Sequence, residues 1–202
     1  DDAWLCVDVM NGVLARRSMA PLSAERYARL FTFPVRDYYQ ALGFDFEREP
    51  FETSGTEFIR NYEARRHECK LRQGALAALQ ALRDAGVRQA VLSAYHRDTL
   101  RELLEHFDLM PFLEAWSGLH DHYAHSKLDN GRKLLHKLAV LPSRVLLVGD
   151  TLHDAEVAEA LGCRCLLVDS GHMDRARLGG CGLPILERLS DLPSRLERGE
   201  PA

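Results

Sequence analysis

Two carboxylates close together in the chain carry the clearest chemical signal. Asp150 and Asp154 lie in VLLVGDTLHDAEVAEALG, where an apolar run is followed by a helical pattern. Open α/β sheets bind ligands at the carboxyl ends of their strands, so Asp150 is expected at such an edge. Two carboxylates near one strand end and one helix start suit a hard cation such as Mg2+, which prefers oxygen ligands. For Asp154, a helix N-cap is the structural alternative, and the two roles can coexist.

A serine and a lysine in other segments add to this signal. Ser93 in AVLSAYHRDTL is predicted to end a strand, where its hydroxyl and nearby backbone N–H groups, including that of Ala94, can bind a phosphate oxygen. Lys127 in HSKLDNGRKLL is predicted to precede a helix and supplies an ammonium group. Alone, such a serine is more often a turn residue, and a loop lysine is usually solvated. Together with the carboxylates, the two residues predict a shared site for an anion and a metal ion.

Helices and strands alternate from about residue 75 onward, and this alternation is what would bring the four residues to one sheet edge. Apolar runs predict strands over 88–94, 114–119, 144–150 and 163–171. Helical spacing predicts helices over 75–86, 97–109, 130–140 and 154–162. This pattern is typical of an α/β fold with a doubly wound parallel sheet. Residues 3–74 show helical periods and few strand signals, so we predict a small helical domain over 3–74 and an α/β core over 75–202.

The order of these residues resembles the haloacid dehalogenase-like (HAD) hydrolase superfamily, and within it the phosphoglycolate phosphatase-like branch. Ser93 resembles its second motif, Lys127 its third, and Asp150 with Asp154 its fourth, while residues 3–74 resemble its helical cap. The resemblance implies a HAD-like Rossmannoid core and Mg2+-dependent hydrolysis of a phosphomonoester through an aspartyl-phosphate. It implies a small phosphorylated metabolite as substrate, with phosphoglycolate suggested by the branch.

The cap of such enzymes faces the leaving group, so its polar residues are candidates for substrate binding. Arg60 and Arg65 are the substrate-binding candidates that we name there, although a solvated helix face is the default for each. Three histidines near Lys127, in LHDHYAHSK, raise the alternative of a transition-metal site. The spacing of His120, His122 and His125 is unlike that of a helical zinc pair, so we do not favour that alternative.

The first family motif, D-x-D-G-T/V-L at the end of a strand, is not matched by WLCVDVMNGVL. Counted from Asp8, the second acidic position is Met10 and the glycine falls one residue late. Counted back from Gly12, the two acidic positions hold Asn11 and Val9. Neither register supplies both the nucleophile and the general acid, so Asp8 is a poor candidate nucleophile.

Periodicity gives a better interpretation of the same stretch. Its apolar residues follow helical spacing at Cys6, Val9, Met10, Val13 and Leu14. Asp1 and Asp2 occupy the positions where acids favour a helix start, and Asp8 falls away from the apolar stripe. We therefore predict a first cap helix here and expect the first motif to be encoded upstream of residue 1.

This hypothesis predicts the coding sequence that precedes Asp1. By family resemblance, the absent strand is central in the sheet, between the strands that carry Ser93 and Asp150. We expect an in-frame strand ending in D-x-D or D-x-N and followed by G-T-L, because neither register above provides both carboxylates. Sequencing the upstream DNA checks this, and a stop codon directly before Asp1 would contradict it.

Bulk properties narrow the remaining function classes. The 202 residues carry a net charge of −4 without a basic block, which argues against nucleic acid as a partner. No run approaches the ~20 apolar residues of a membrane-spanning helix, so we expect no membrane partner. Five scattered cysteines favour reduced thiols in a cytoplasmic protein. We expect a monomer or a homodimer.

Two alternatives to a phosphatase stay open. One is a dehalogenase or phosphonatase relative, which the residue two positions after the nucleophile would distinguish. The other is a catalytically inactive binding or interaction module that keeps Ser93, Lys127 and Asp150 as an anion site.

Overall fold

The computed structural model describes residues 1–119, 127–169 and 171–199, so His120, His122 and His125 lie outside the described residues. The helices are α1 Ala3–Ala15, α2 Ala24–Leu30, α3 Val35–Leu42, α4 Phe51–Glu63, α5 Ala75–Asp84, α6 Arg97–His106, α7 Lys127–Leu138, α8 Leu152–Leu161, α9 Arg175–Gly179 and α10 Leu192–Glu197. The strands are β1 Ala90–His96, β2 Ala115–Leu119, β3 Leu146–Gly149, β4 Arg164–Val168 and β5 Ile185–Leu186. Within this part of the chain, no helix combines the length and apolarity needed to cross a membrane.

The chain divides into two compact units. The helical unit comprises Asp1–Lys70, Asp150–His153 and Asp169–Cys181. The sheet unit comprises Leu71–Gly149, Asp154–Val168 and the segment from Gly182 onward. Two short segments that follow strands β3 and β4 therefore belong to the helical unit, although they are distant in sequence from its first 70 residues.

Helix α1 confirms the helical prediction for the N-terminal stretch. Its buried residues are Leu5, Val9, Met10, Val13 and Leu14. Three of these join tyrosines and other apolar residues in the main core of the helical unit, which consists of Met10, Val13, Leu14, Leu22, Tyr27, Tyr38, Tyr39, Leu42 and Phe44. Asp8 lies on the opposite, polar side, with 59% of its side chain exposed. The stretch that could have been a catalytic strand is thus an amphipathic helix whose stripe fills a core.

The strands of the sheet unit are parallel, as predicted, but they form two separate sheets. Strand β1 pairs with β2, and β3, β4 and β5 pair in that order. Among the described residues, β1 has no ladder with β3. Leucines and a valine from β4, β5, α5 and α10 form the core cluster of the larger sheet: Leu82, Leu166, Val168, Leu186 and Leu192. Helices α5 and α10 therefore bury one face of this sheet.

The core of the larger sheet can be tested with two leucine truncations. Leu166→Ala in β4 should lower the free energy of unfolding by about 2–5 kcal/mol, because the fully buried side chain leaves a cavity. Leu141→Ala is the matched control, since Leu141 is 67% exposed and its loss should cost less than about 0.5 kcal/mol. Urea unfolding followed by circular dichroism measures both, and equal losses would contradict the assigned core.

Candidate functional site

In the sheet unit, a buried ion pair joins Lys127 and Asp154, which lie at the starts of two helices. The Lys127 ammonium, in the first turn of α7, donates to Oδ1 of Asp154 in the first turn of α8. Only 13% of the Lys127 side chain and 7% of the Asp154 side chain are exposed. Buried charges are tolerated when they are paired, so each of these residues requires the other. The sequence prediction that Lys127 precedes its helix was wrong, because α7 includes Lys127.

Asp154 is held closely against the end of strand β3. It is the third residue of α8, which begins at Leu152, so the N-cap alternative for Asp154 was wrong. A Cβ atom on Gly149, the last residue of β3, would overlap the Asp154 side chain. Glycine at this position lets the carboxylate approach the strand end, which is where α/β sheets bind ligands.

Ser93 lies inside β1 rather than at its end, which corrects the predicted strand boundary. Leu92 is opposite Ser117 and His96 is opposite Leu119, so Ser93, Ala94 and Tyr95 together face one residue of β2. The Ser93 hydroxyl accepts a hydrogen bond from the Tyr95 backbone N–H at 3.0 Å. Such a bulge re-aims side chains and is common beside active sites.

Two residues that the sequence analysis missed join this bulge to helix α7. Gly118 is the β2 residue opposite the bulge, and a Cβ there would lie 2.7 Å from the Tyr95 carbonyl oxygen. Asn130, buried in α7, donates from its side-chain nitrogen to the Gly118 carbonyl at 2.9 Å. Asn130 lies one helical turn after Lys127, so the same face of α7 carries both. Their only sequence signals were a glycine in a short strand and an asparagine in a helix, where both residue types are unfavourable.

The carboxylate of Asp150 contacts the segment that follows β4, which belongs to the same helical unit. Its Oδ2 accepts a hydrogen bond from the His172 backbone N–H at 2.9 Å. A Cβ atom on Gly171 would overlap the Asp150 carboxyl group. The His172 ring lies 2.5 Å from the Tyr27 hydroxyl through Nδ1 and 3.3 Å from Asp2 Oδ1 through Nε2. His172 is a third residue that the sequence analysis missed.

The Asp2–His172 contact shifts the pKa of both residues. Burial alone would raise the pKa of Asp2, but the hydrogen bond and charge of His172, with the Tyr62 hydroxyl, bring it well below its ordinary value. Burial would lower the pKa of His172, but its hydrogen bond and charge interaction with Asp2, and the charge of Asp150, raise it above 6.5. The arrangement favours a carboxylate beside an imidazolium.

The two cap arginines named as substrate candidates have different surroundings in the helical unit. The Arg65 guanidinium pairs with Asp8 and with Glu68, and the Arg65–Glu68 distance is 2.8 Å. Arg60 lies on α4 and is exposed. The structure therefore brings Lys127 and Asp154 together, supports Ser93 through the same packed elements, and places Asp150, Arg60 and Arg65 in the helical unit.

The types of oxygen donor present are compatible with magnesium. Within the described ranges, no group of three or more His, Cys, Asp or Glu side chains is arranged to hold a metal ion. Mg2+ does not require such a cage, since one or two carboxylates usually hold it together with waters and substrate phosphates. Asp150 in the helical unit and Asp154 in the sheet unit each offer carboxylate oxygens, a donor type that suits Mg2+ better than a softer metal.

Comparison with known families decides the identity of the fold. Residues 1–168 match the model of a family described as haloacid dehalogenase-like hydrolases. The chain belongs to this family. It is a HAD hydrolase. The assignment of Ser93, Lys127 and the two aspartates Asp150 and Asp154 to the second, third and fourth HAD motifs stays a prediction from the sequence. The α/β fold class predicted from the sequence is thereby confirmed.

Several known proteins are similar to this chain. Tyrosine-protein kinase PtkA of Mycobacterium tuberculosis is 32% identical over 141 residues, which are 69% of this chain and 47% of the relative. The HAD hydrolase spans about half the length of the curated relatives it matches. The solved structure of PtkA is similar at a TM-score of 0.81 and 25% identity, covering 97% of this chain and 92% of that one. A structure from Clostridium acetobutylicum, described as a predicted phosphatase, has a TM-score of 0.80 at 20% identity, covering 98% and 93%.

The close approach at Gly118 gives a test of the packing that supports Ser93. Gly118→Ala should lower the free energy of unfolding by about 1–3 kcal/mol, because its Cβ would press on the backbone of the β1 bulge. Gly179→Ala is the matched control, since nothing lies within 4 Å of the added atom, and it should raise stability by up to about 1 kcal/mol. Urea unfolding measures both variants. Similar stability of the two alanine variants would contradict the proposed packing.

Proposed function

We propose that this HAD hydrolase is a Mg2+-dependent phosphatase that cleaves a small phosphorylated metabolite through an aspartyl-phosphate. The observation that carries the proposal is the buried Lys127–Asp154 pair against Gly149 in the sheet unit. A lysine fixed this way presents a positive charge whose orientation needs no reorganisation during the reaction. Such a charge suits a phosphoryl group, which gathers negative charge on its oxygens during transfer.

Each motif residue has a defined task in this proposal. Lys127 neutralises a phosphoryl oxygen, while Asp154 holds the ammonium in place. The Ser93 hydroxyl and the Ala94 backbone N–H bind a second oxygen beside the β1 bulge. Asp150 and Asp154 would hold Mg2+, which when bound neutralises phosphate charge and orients the phosphoryl group.

The attacking carboxylate is proposed to come from a strand that is not among the 202 residues. Two features support this: α1 occupies the stretch in which a catalytic strand was sought, and β1 and β3 share no ladder in the described part of the chain. A sheet edge with unpaired N–H and C=O groups readily accepts another strand. A strand ending in D-x-D would supply both the nucleophile and the general acid.

Substrate contacts and compartment complete the proposal. Arg60, exposed on α4, and Arg65 would contact the part of the substrate that leaves, with Arg65 exchanging one of its carboxylate partners. All five cysteines are free thiols, which supports a reducing compartment such as the cytoplasm. No contact with nucleic acid or a membrane is included in the proposal.

Phosphoryl transfer to a tyrosine is a second candidate, favoured by the relative named Tyrosine-protein kinase PtkA. It differs from the proposed hydrolysis in the donor, which is ATP with ADP as the leaving group, and in the final acceptor, which is a phenol instead of water. Incubation with γ-labelled ATP and a tyrosine-containing protein distinguishes the two: label on tyrosine supports transfer, and release of inorganic phosphate from a monoester supports hydrolysis.

The phosphatase proposal is tested by hydrolysis of p-nitrophenyl phosphate. We expect Mg2+-dependent turnover by a version extended upstream through a D-x-D strand, and loss of that turnover with EDTA. In the extended version, Lys127→Ala should lower kcat by about 10²–10³-fold, because a charge aimed at the phosphoryl group is lost. Lys133→Ala, an exposed lysine on the same helix, should leave kcat unchanged.

Two further measurements keep this test decisive. Lys127→Arg retains the charge beside Asp154, so its partial activity would separate a catalytic loss from unfolding. Robust turnover by the 202-residue chain, abolished by Asp8→Asn, would overturn the proposal that the attacking carboxylate is not among the 202 residues.

A further inference from the structure

The segment after β4 contains a histidine whose ring is bound on both nitrogens. His172 Nδ1 lies 2.5 Å from the Tyr27 hydroxyl, and Nε2 lies 3.3 Å from Asp2 Oδ1. The Tyr62 hydroxyl donates to the other oxygen of Asp2 at 2.7 Å. The ring is also packed against aromatic neighbours, with centroids 5.0 Å from Phe31 and 5.8 Å from Tyr27. Few orientations of the imidazole satisfy all these contacts.

The backbone N–H of His172 contacts Asp150, the first acidic residue of the predicted fourth HAD motif. The His172 N–H donates to Asp150 Oδ2 at 2.9 Å. The preceding residue is Gly171, where a side chain would overlap the Asp150 carboxyl group. Because the ring and the N–H belong to one residue, fixing the ring also limits rotation of the peptide that carries the N–H.

We propose that His172 is a positioning residue that holds the Asp150 carboxylate through its backbone N–H, and that Tyr27 and Asp2 set this geometry by binding its ring. The inference rests on the proposed function, in which Asp150 is a metal ligand. It adds that the start of α1 and the first turns of α2 determine where that ligand points. Groups that orient a metal ligand typically change metal affinity by 10–100-fold when they are lost, although they never touch the metal.

A neighbouring tyrosine provides the matched control. Tyr27 and Tyr38 are 3% and 2% exposed, belong to the same core cluster, and pack edge to face at 5.7 Å. Only the Tyr27 hydroxyl contacts His172, whereas the Tyr38 hydroxyl has no hydrogen-bond partner among the described residues. Tyr27→Phe and Tyr38→Phe therefore remove the same atom from the same core, with different expected effects on Asp150.

The direct test is the 1H,15N spectrum of the 202-residue protein. An amide proton bonded to a carboxylate resonates downfield, so the His172 signal should move upfield in Asp150→Asn. It should move the same way in Tyr27→Phe and in Asp2→Asn, and stay in place in Tyr38→Phe. An unchanged His172 amide in Tyr27→Phe, in a protein whose other amides show an intact fold, would overturn the inference.

A second readout separates this inference from the proposed function. Calorimetric titration with Mg2+ should show affinity reduced about 10-fold in Tyr27→Phe and unchanged in Tyr38→Phe. Equal affinities of Tyr27→Phe and the parent would overturn the role of His172 while leaving the phosphatase proposal intact. Loss of Mg2+ binding by the parent would remove the metal role of Asp150, and the amide shift would still decide whether Tyr27 positions the carboxylate.

Discussion

The structure of the sheet unit depends on the burial of one charge pair. Lys127 and Asp154 have little access to water, and transfer of either charge from water is costly unless the partner is in contact. This requirement fixes the starts of α7 and α8 next to each other. It also requires glycine at position 149, because the Asp154 carboxyl group occupies the space that a side chain would need. The pair therefore constrains the helix positions in addition to supplying charge.

The packing around this pair also restricts the position of Ser93. Helix α7 carries Asn130 one turn after Lys127, and Asn130 is bonded to the carbonyl of Gly118. Gly118 permits the close approach of the β1 bulge that contains Ser93. Each step connects regular elements or buried backbone, which hold side chains more accurately than exposed loops do. The hydroxyl and the ammonium are thus parts of one packed assembly.

The sequence predicted the elements better than their ends. Helix α1 was predictable because its apolar stripe repeats with helical period over a whole element. The prediction that a strand ends at Ser93 was wrong, because β1 continues through a bulge whose position depends on pairing with Gly118 and not on the local sequence. His172 was missed for a similar reason: its ring partners Asp2 and Tyr27 are more than 140 residues away in the chain. Local patterns carry no information about such contacts.

In the helical unit, the side chain of Asp2 binds His172 rather than capping its own helix. Asp2 is the N-cap residue of α1, yet its side chain makes no capping hydrogen bond. It binds His172 and Tyr62 instead, and this lowers its pKa despite the burial. A capping bond is worth about 1 kcal/mol and could have been made by the same carboxylate. Because the Asp2 carboxylate binds His172 instead of capping α1, the geometry of the unit favours a fixed His172 over a capped helix. A fixed His172 in turn orients the hydrogen bond that its backbone N–H donates to Asp150.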